Sequence, residues 1–582
     1  MKISEYIIDF LSKRGIDTVF TVSGGGCIFL IDALRKHPSI KTIATHHEQA
    51  AVIAAEGYAR LKNDIGACVV TSGPGGTNAL TGVLCAWQDS VPMIIISGQV
   101  NKDLTIDYTG LTNLRQLGDQ EFDIINVVKH ITKYSAQIND ARYINYHLTK
   151  AFVSALSGRP GPVWLDIPLD IQNSDVPVDL FSVENGFLTE CNTLPIVSDN
   201  QIREIINKLK TSKKPLLIVG NGIRLAHGEN SLNDFLQKTH IPVITSVNGN
   251  DLVTNNYKYY YGRFGIIAQV CANKLIQECD LLISIGSRLY IRQIGYSFDT
   301  FAKNAYKIYS DIDWNELNKP TLRPDMIVQS DAKYLLNVLT NRIDILPNYS
   351  DWYKLCNELK SPHMLPKHKN QKPLMSCYQF MDVLNDFMRE DLHVICSDGC
   401  SNVITTQVLQ NKPNQRIIIN KGCAPMGYGL PAAIGAHYVN KTPVICLEGD
   451  GSIHMNIHEL QTVFHHQIPL KIFIINNDGY LSIKITQNSL FNGNKMISNP
   501  QSGLTLPSYE KIAWAYGIPY KSITEECKLH ETINEVINHS GPIICEVFTN
   551  PLDVFEPKVN IQGFDETGKM IPGEIGNIEW VK

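Results

Sequence analysis

No stretch of this 582-residue sequence is apolar for long enough to cross a bilayer, no two cysteines are spaced as CxxC, and no long block of like charge occurs. The first absence argues against a membrane-spanning protein. With the net charge at −5, the third argues against a polyanion partner, so nucleic acid is not expected. The fourteen cysteines are scattered singly, and many (Cys68, Cys85, Cys446, Cys545) lie inside apolar runs where a small hydrophobe belongs. Reduced thiols in a cytoplasmic compartment are expected. Neither a complete G-x-G-x-x-G nor a Walker pattern is present, and the acidic ladder of an EF-hand is missing. His454 and His458 stand four apart as in a zinc protease, but Met455 holds the place of the required Glu, so they read as surface or packing. The opening MKISEYIIDFLSKRG has apolar residues at 3, 6, 7, 10 and 11, the face of an amphipathic helix and not a signal sequence.

What is present is a repeated alternation of short β-branched apolar runs with helix-length amphipathic segments. ACVVTS, PMIIISG and PVWLDIP come first, then PLLIVGNG, PVITS and DLLISIGS, then HVICSDG, PVICLEGDG and KIFIINNDG. Runs apolar on both faces that end in Gly or Asp imply parallel sheets covered by helices. Two Pro-, Asn- and Ser-rich stretches without periodicity, about 173–199 and 343–373, read as linkers. The expected fold is α/β, with three doubly wound parallel-sheet domains at 1–172, 195–342 and 373–560 and a tail at 561–582. In such sheets ligands bind beyond the carboxyl ends of the strands, so the residues closing each run are the candidates for chemistry.

One of those ends is CLEGDGSIH, residues 446–454, in which Asp450 stands between two glycines. Gly451 is followed by 24 residues and then Asn476-Asn477, which closes the next apolar run. Strand, helix and strand in a parallel sheet bring the two ends to one edge. Asp450, the Asn477 amide oxygen and a backbone carbonyl near Gly479 make a hard-oxygen set with room for phosphate oxygens, the way Mg²⁺ is held. The glycines let a phosphate approach, and N–H groups at a helix start after Ser452 would favour the anion. A lone GDG would read as a helix-capping Asp; the paired Asn at this spacing favours the metal and a diphosphate.

GDG, some two dozen residues and NN together resemble the thiamine diphosphate motif, and the chain is similar to the acetolactate synthase (acetohydroxyacid synthase) family. HHEQAAVIAAEGYAR (46–60), TSGPGGTN (71–78), QEFDI (120–124), GRPGPVWLDIPLDIQ (158–172), DLLISIGSRL (280–289), DIDWNELNK (311–319) and MGYGLPAAIGA (426–436) carry the likeness across nearly the whole chain. The resemblance implies that Glu48 is the catalytic acid beside the aminopyrimidine ring, with Ala50, Ala51 and Ile53 to Ala55 as apolar walls raising its pKa. It implies that Met426 bends the cofactor, that backbone near Ala424 bonds the pyrimidine although the family has Gly and Thr where Ala424 and Pro425 stand, and that Pro74 and Asn78 contact the ring. Gly399, Cys400 and Ser401 correspond to a diphosphate-contacting Gly-Gln-His; Gly451, Ser452, Gly479 and Tyr480 flank the metal ligands. Gln120 matches a substrate-side Gln, with Asp119 replacing a pocket Phe, and Lys133 resembles a Lys near the substrate channel. Two subunits sharing each cofactor are implied, hence a homodimer or a dimer of dimers.

The reaction is read from departures. Simple 2-keto acid decarboxylases carry an Asp in the first glycine loop, a His-His pair, and a Glu six residues past the second Asn. Here Gly26 and Ile483 stand at two of these places, and 100–125 holds no His pair. Without a proton donor to release an aldehyde, the decarboxylated donor is expected to attack a second carbonyl, so Gly26 belongs to the candidate catalytic set. Thr486 stands where acetolactate synthases have a Trp, which with Asp119 suggests a more polar acceptor pocket, a keto-sugar included. The flavin motif is matched by Gly286 to Gly295, keeping Arg288 and Arg292 and losing both aspartates; with Asp311 these are the candidate FAD residues. A cofactor-sharing hydrolase of a cyclic dione and a non-catalytic relative are the competing classes; the intact Glu48, Asp450 and Asn477 argue against the latter.

Overall fold

The computed structural model describes residues 1–111, 113–360 and 375–579. It contains three six-stranded sheets, every strand pair parallel. The first holds β1 (Thr18–Thr21), β2 (Lys41–Ala44), β3 (Gly66–Val70), β4 (Met93–Gln99), β5 (Tyr134–Gln137) and β6 (Pro162–Pro168) in the order 2-1-3-4-6-5. The second holds β7 (Pro215–Val219), β8 (Val243–Thr245), β9 (Tyr260–Arg263), β10 (Leu281–Ile285), β11 (Tyr306–Asp311) and β12 (Met326–Gln329), ordered 12-11-10-7-8-9. The third holds β13 (His393–Cys396), β14 (Ile417–Ile419), β15 (Val444–Gly449), β16 (Leu470–Asn476), β17 (Tyr520–Ile523) and β18 (Ile543–Phe548), ordered 14-13-15-16-18-17. The doubly wound α/β expectation is met. The central strands are buried along their whole length because helices cover both faces.

The first and third sheets share one core. The Glu48–Lys62 helix crosses the Gly429–Asn440 helix so closely that a methyl group on Gly435 would lie 1.7 Å from Ala54 O, and one on Gly57 2.2 Å from Ala432 O. Glycine at the crossing lets backbone meet backbone, and both helices are buried on nearly every side.

The stretches read as linkers are not featureless. Helices span Asn185–Asn192 and Ser350–Leu359, and residues 361–373 lie outside the described residues. The second helix is easily missed, because only Trp352 and Cys356, one turn apart, are buried in the middle core. The N-terminal amphipathic pattern is a helix, Ile3–Lys13, with Ile3, Ile7 and Leu11 buried. Beyond β18 the described chain adds only two-stranded antiparallel pairs. Among the described residues no helix is long and apolar enough to cross a membrane.

Candidate functional site

The chain's polar strand ends gather at the carboxyl edges of the first and third sheets. In the third, β15 and β16 are neighbours with Gly449 opposite Ile475, so Asp450 and Asn477 leave adjacent tips. The Asp450 carboxylate, 1% exposed, accepts N–H bonds from Gly451 (2.8 Å), Asn477 (3.0 Å) and Gly479 (2.9 Å). Burial outweighs these bonds and pushes its pKa up to about 6. The Asn477 amide donates to Cys400 Sγ at 3.2 Å, which leaves its buried Oδ1 without a partner among the described residues. An orphaned amide oxygen beside a carboxylate with a lone pair to spare fits a hard divalent cation. Gly479, at φ +119, completes the turn; a side chain there would strike Ser498 O at 2.3 Å. Tyr480 lays its ring over Gly451, where an added methyl would be 2.2 Å from Cε1.

Other predicted diphosphate residues are placed differently. Gly399, at φ +112, caps the Cys400–Val408 helix, but Ser401 spends its hydroxyl on Ser397 O at 3.2 Å. Ser452 Oγ pairs with Ser397 Oγ (2.8 Å) and accepts Gly427 N–H (2.8 Å), tying it to the loop ahead of the Gly429–Asn440 helix. The expected helix start after Ser452 is a 3₁₀ segment, Ile453–Glu459, and the α-helix begins only at Leu460. Asn456 breaks the winding at φ −140 because its side chain donates to Gly427 O at 2.9 Å. A helix-dipole contribution to anion binding is therefore weaker there than expected.

On the first sheet, Glu48 opens its helix and is 8% exposed. Its Oε2 accepts from Asn78 Nδ2 at 3.0 Å. Ala50, Ala51 and Ile53 to Ala55 are fully buried behind it in the same helix, with Ala51 one turn on along the face of Glu48. Pro74 is at the start of the Pro74–Asp89 helix, whose cap, Gly73 at φ +57, lies against Gln120 O. Gly26 donates to Thr71 Oγ1 at 3.1 Å, and a side chain there would meet Ser72 Oγ at 2.7 Å. Glu48, Asn78, Pro74, Gln120 and Gly26 thus share one edge. Lys133 does not join them: its backbone pairs with Pro162 at the amino end of β6, and its ammonium donates to Ser157 O.

The loop between β14 and the Gly429–Asn440 helix carries Ala424, at φ +52, and the half-buried Met426. A buried ion cluster reaches it from the first sheet: Arg60 binds Glu56 Oε1 (2.7 Å) and Asp89 Oδ2 (2.6 Å). Burial raises the Glu56 pKa against the pull of Arg60. Sequence reasoning passed over Glu56, Asp89, Asn420, Tyr509 and Lys484. Tyr509 donates to Asp450 O and contacts His454 Nε2 at 2.9 Å, and the buried Lys484 donates to Asn477 O at 2.6 Å. A lysine inside LSIKI and an asparagine closing III were the available signals.

A cavity of about 120 Å³ opens where the three sheets meet, lined by Gln88, Arg159, Gly222, Ser287, Arg288 and Asp311 among others. Gly220 and Gly286 touch backbone to backbone, and Gln88 Oε1, Asn248 Oδ1 and Ser287 Oγ lack partners among the described residues. Arg288 and Arg159 both reach Glu316 (3.3 and 2.6 Å). Burial raises the Asp311 pKa to about 6. Arg292 is exposed and does not line this cavity.

Three parallel sheets, with an acid at one edge and an acid–amide oxygen set at another, accord with a thiamine diphosphate enzyme, the class that the comparisons show. Family models described as "Thiamine pyrophosphate enzyme" match here as N-terminal TPP binding domain over residues 1–126, central domain over 202–339 and C-terminal TPP binding domain over 398–547. Acetolactate synthase isozyme 2 large subunit of Escherichia coli K12 is 32% identical over 562 residues, covering 96% of this chain and 97% of its own. The Methanococcus aeolicus probable acetolactate synthase large subunit is 31% identical, covering 94% and 92%. That of Lactococcus lactis strain IL1403 is 30% identical, covering 96% and 94%. The chain belongs to the acetolactate synthase large-subunit family of thiamine diphosphate-dependent enzymes.

Proposed function

We propose that this enzyme decarboxylates pyruvate or a similar 2-keto acid and joins the remaining acyl unit to a second carbonyl compound, a keto-sugar being the favoured acceptor. Thiamine diphosphate, when bound, supplies the carbon nucleophile and accepts the electrons released with CO₂. In this reading Asp450, Asn477 and the Gly479 carbonyl hold Mg²⁺, and Gly399, Cys400, Gly451, Ser452 and Tyr480 border the diphosphate. Glu48 holds the proton at the pyrimidine nitrogen, oriented by Asn78; Pro74, Ala424 and Met426 fix the ring, and Gln120 faces substrate. The orphaned Asn477 Oδ1 is the observation that carries the metal assignment.

Carboligation rather than aldehyde release is favoured because the edge beside Glu48 has no room for a proton donor at Gly26, and Ile483 offers none. A polar acceptor is favoured by Thr486 and Asp119, both exposed. Apolar side chains exposed near Gln120 (Tyr108 62%, Leu111 60%) and past Ile483 (Phe491 57%, Met496 70%) support a homodimer that covers them and shares the site. FAD is the candidate ligand beside Arg288 and Asp311, although the cavity between the sheets, at about 120 Å³, holds only part of such a molecule without opening. The unbridged cysteines support a reducing, cytoplasmic setting.

The test is a mass-spectrometric screen of the Mg²⁺- and thiamine diphosphate-loaded enzyme with pyruvate plus keto-sugars, aldehydes or keto acids. A sugar adduct is expected. Acetolactate from pyruvate alone as the dominant product would refute the acceptor, and a colourless protein without 450 nm absorbance would refute FAD.

A further inference from the structure

Four consecutive backbone N–H groups of the loop after β14 are held by two side chains. Asp89 accepts from Lys421 N (3.0 Å) and Gly422 N (2.9 Å). Asn420 Oδ1 accepts from Cys423 N (3.1 Å) and Ala424 N (3.0 Å). Asn420 is 2% exposed, and its Nδ2 donates to Glu56 Oε1 (3.1 Å), the oxygen that also takes Arg60. The loop is therefore gripped from the first sheet at one end and from its own first residue at the other. A cost is stored in it: Ala424 sits at φ +52, where a Cβ is disfavoured.

We propose that Asn420 is a positioning residue for the cofactor ring, holding Ala424 in its left-handed conformation so that the backbone of 422–426 faces the pyrimidine already shaped. The inference rests on the reading of Ala424 and Met426 as ring contacts. With the N–H groups of 421–424 all turned onto Asp89 and Asn420, no described donor reaches the carbonyls of 422–426, which leaves acceptors for the ring's amino group. Losing Asn420 frees two N–H groups and removes the one side chain that, among the described residues, bonds the Ala424 N–H. Pre-organisation of this kind appears in affinity, since an unshaped loop must be ordered by the ligand.

The experiment is calorimetric titration of thiamine diphosphate, with saturating Mg²⁺, into the full-length parent, Asn420→Ala and Asn420→Ala/Ala424→Gly. Hydrogen exchange of the 421–424 amides is followed in the cofactor-free proteins. Asn420→Ala should raise Kd about ten-fold and speed that exchange. The double variant should recover at least half of the logarithmic loss, because glycine accepts the left-handed backbone without help. Parent-like binding by Asn420→Ala overturns the proposal, and so does a double variant no better than the single one, insolubility of both included. A parent that takes up no cofactor sinks the reading of the site itself, and the inference with it.

Discussion

Asp450→Asn separates what the carboxylate does for the fold from what it does for a cation. The carboxylate satisfies three backbone N–H groups at 2.8–3.0 Å. An amide can keep the Asn477 and Gly479 bonds on its oxygen but turns an NH₂ on Gly451, a loss of about 1.5–3 kcal/mol. Against this, burial raises the Asp450 pKa from 3.8 to about 6, so keeping it ionised at neutral pH costs the cofactor-free protein about 3 kcal/mol. The two nearly cancel, and the bare variant should melt within a few degrees of the parent. The cation-linked part does not cancel. At one hundred times Kd, Mg²⁺ and thiamine diphosphate add about 2.7 kcal/mol. For a unit of this size that is roughly 5–10 °C. Scanning calorimetry with and without both ligands should show that rise in the parent and none in Asp450→Asn. A variant that keeps the rise would show that Asp450 does not hold the metal.

Glu48→Gln should bind thiamine diphosphate within a few-fold of the parent while turnover falls by about 10²–10⁴, as calorimetry and initial rates would show; normal turnover would remove its proton role. Gly435→Ala puts a methyl 1.7 Å from Ala54 O, and with backbone on both sides unable to yield, more than about 3 kcal/mol should be lost in urea unfolding. An unchanged midpoint would contradict the packing described. Burial raises the Asp166 pKa to about 7 despite bonds from Ser97 and Gln99. A raised carboxyl favours folding when protonated, so its contribution is complete below 3.8 and is lost as pH rises to about 7, at up to about 1.4 kcal/mol per pH unit. Urea midpoints at pH 5, 6 and 7 should fall in the parent and fall less steeply in Asp166→Asn; equal slopes would count against it. Glu448, raised to about 7, keeps part of the slope in both.

The central strands were legible because burial on both faces leaves unbroken apolar runs, as in β3, β4, β10 and β15. The edge strands were not: β5 is half-buried throughout and β17 runs half-buried, exposed, exposed, buried, so no period marks them. At the site, residues in local motifs were readable, Asp450 and Asn477 above all, since each closes a strand. What escaped was set by tertiary contact. Asn420 and Asp89 lie 331 positions apart, and only the crossing of the Glu48–Lys62 and Gly429–Asn440 helices makes them share a loop. The 3₁₀ winding after Ser452 escaped for the same reason, because the bond from Asn456 to Gly427 is invisible along the chain.

That crossing makes chain order incidental to the seam it forms. Where two backbones touch without side chains between them, recognition is by shape, locked here by the Glu56–Asn420 and Asp89 bonds, and a covalent link through the middle sheet is a convenience. A chain severed near residue 195 should yield two pieces that find each other when made together, the glycine grooves acting as the mould for reassembly.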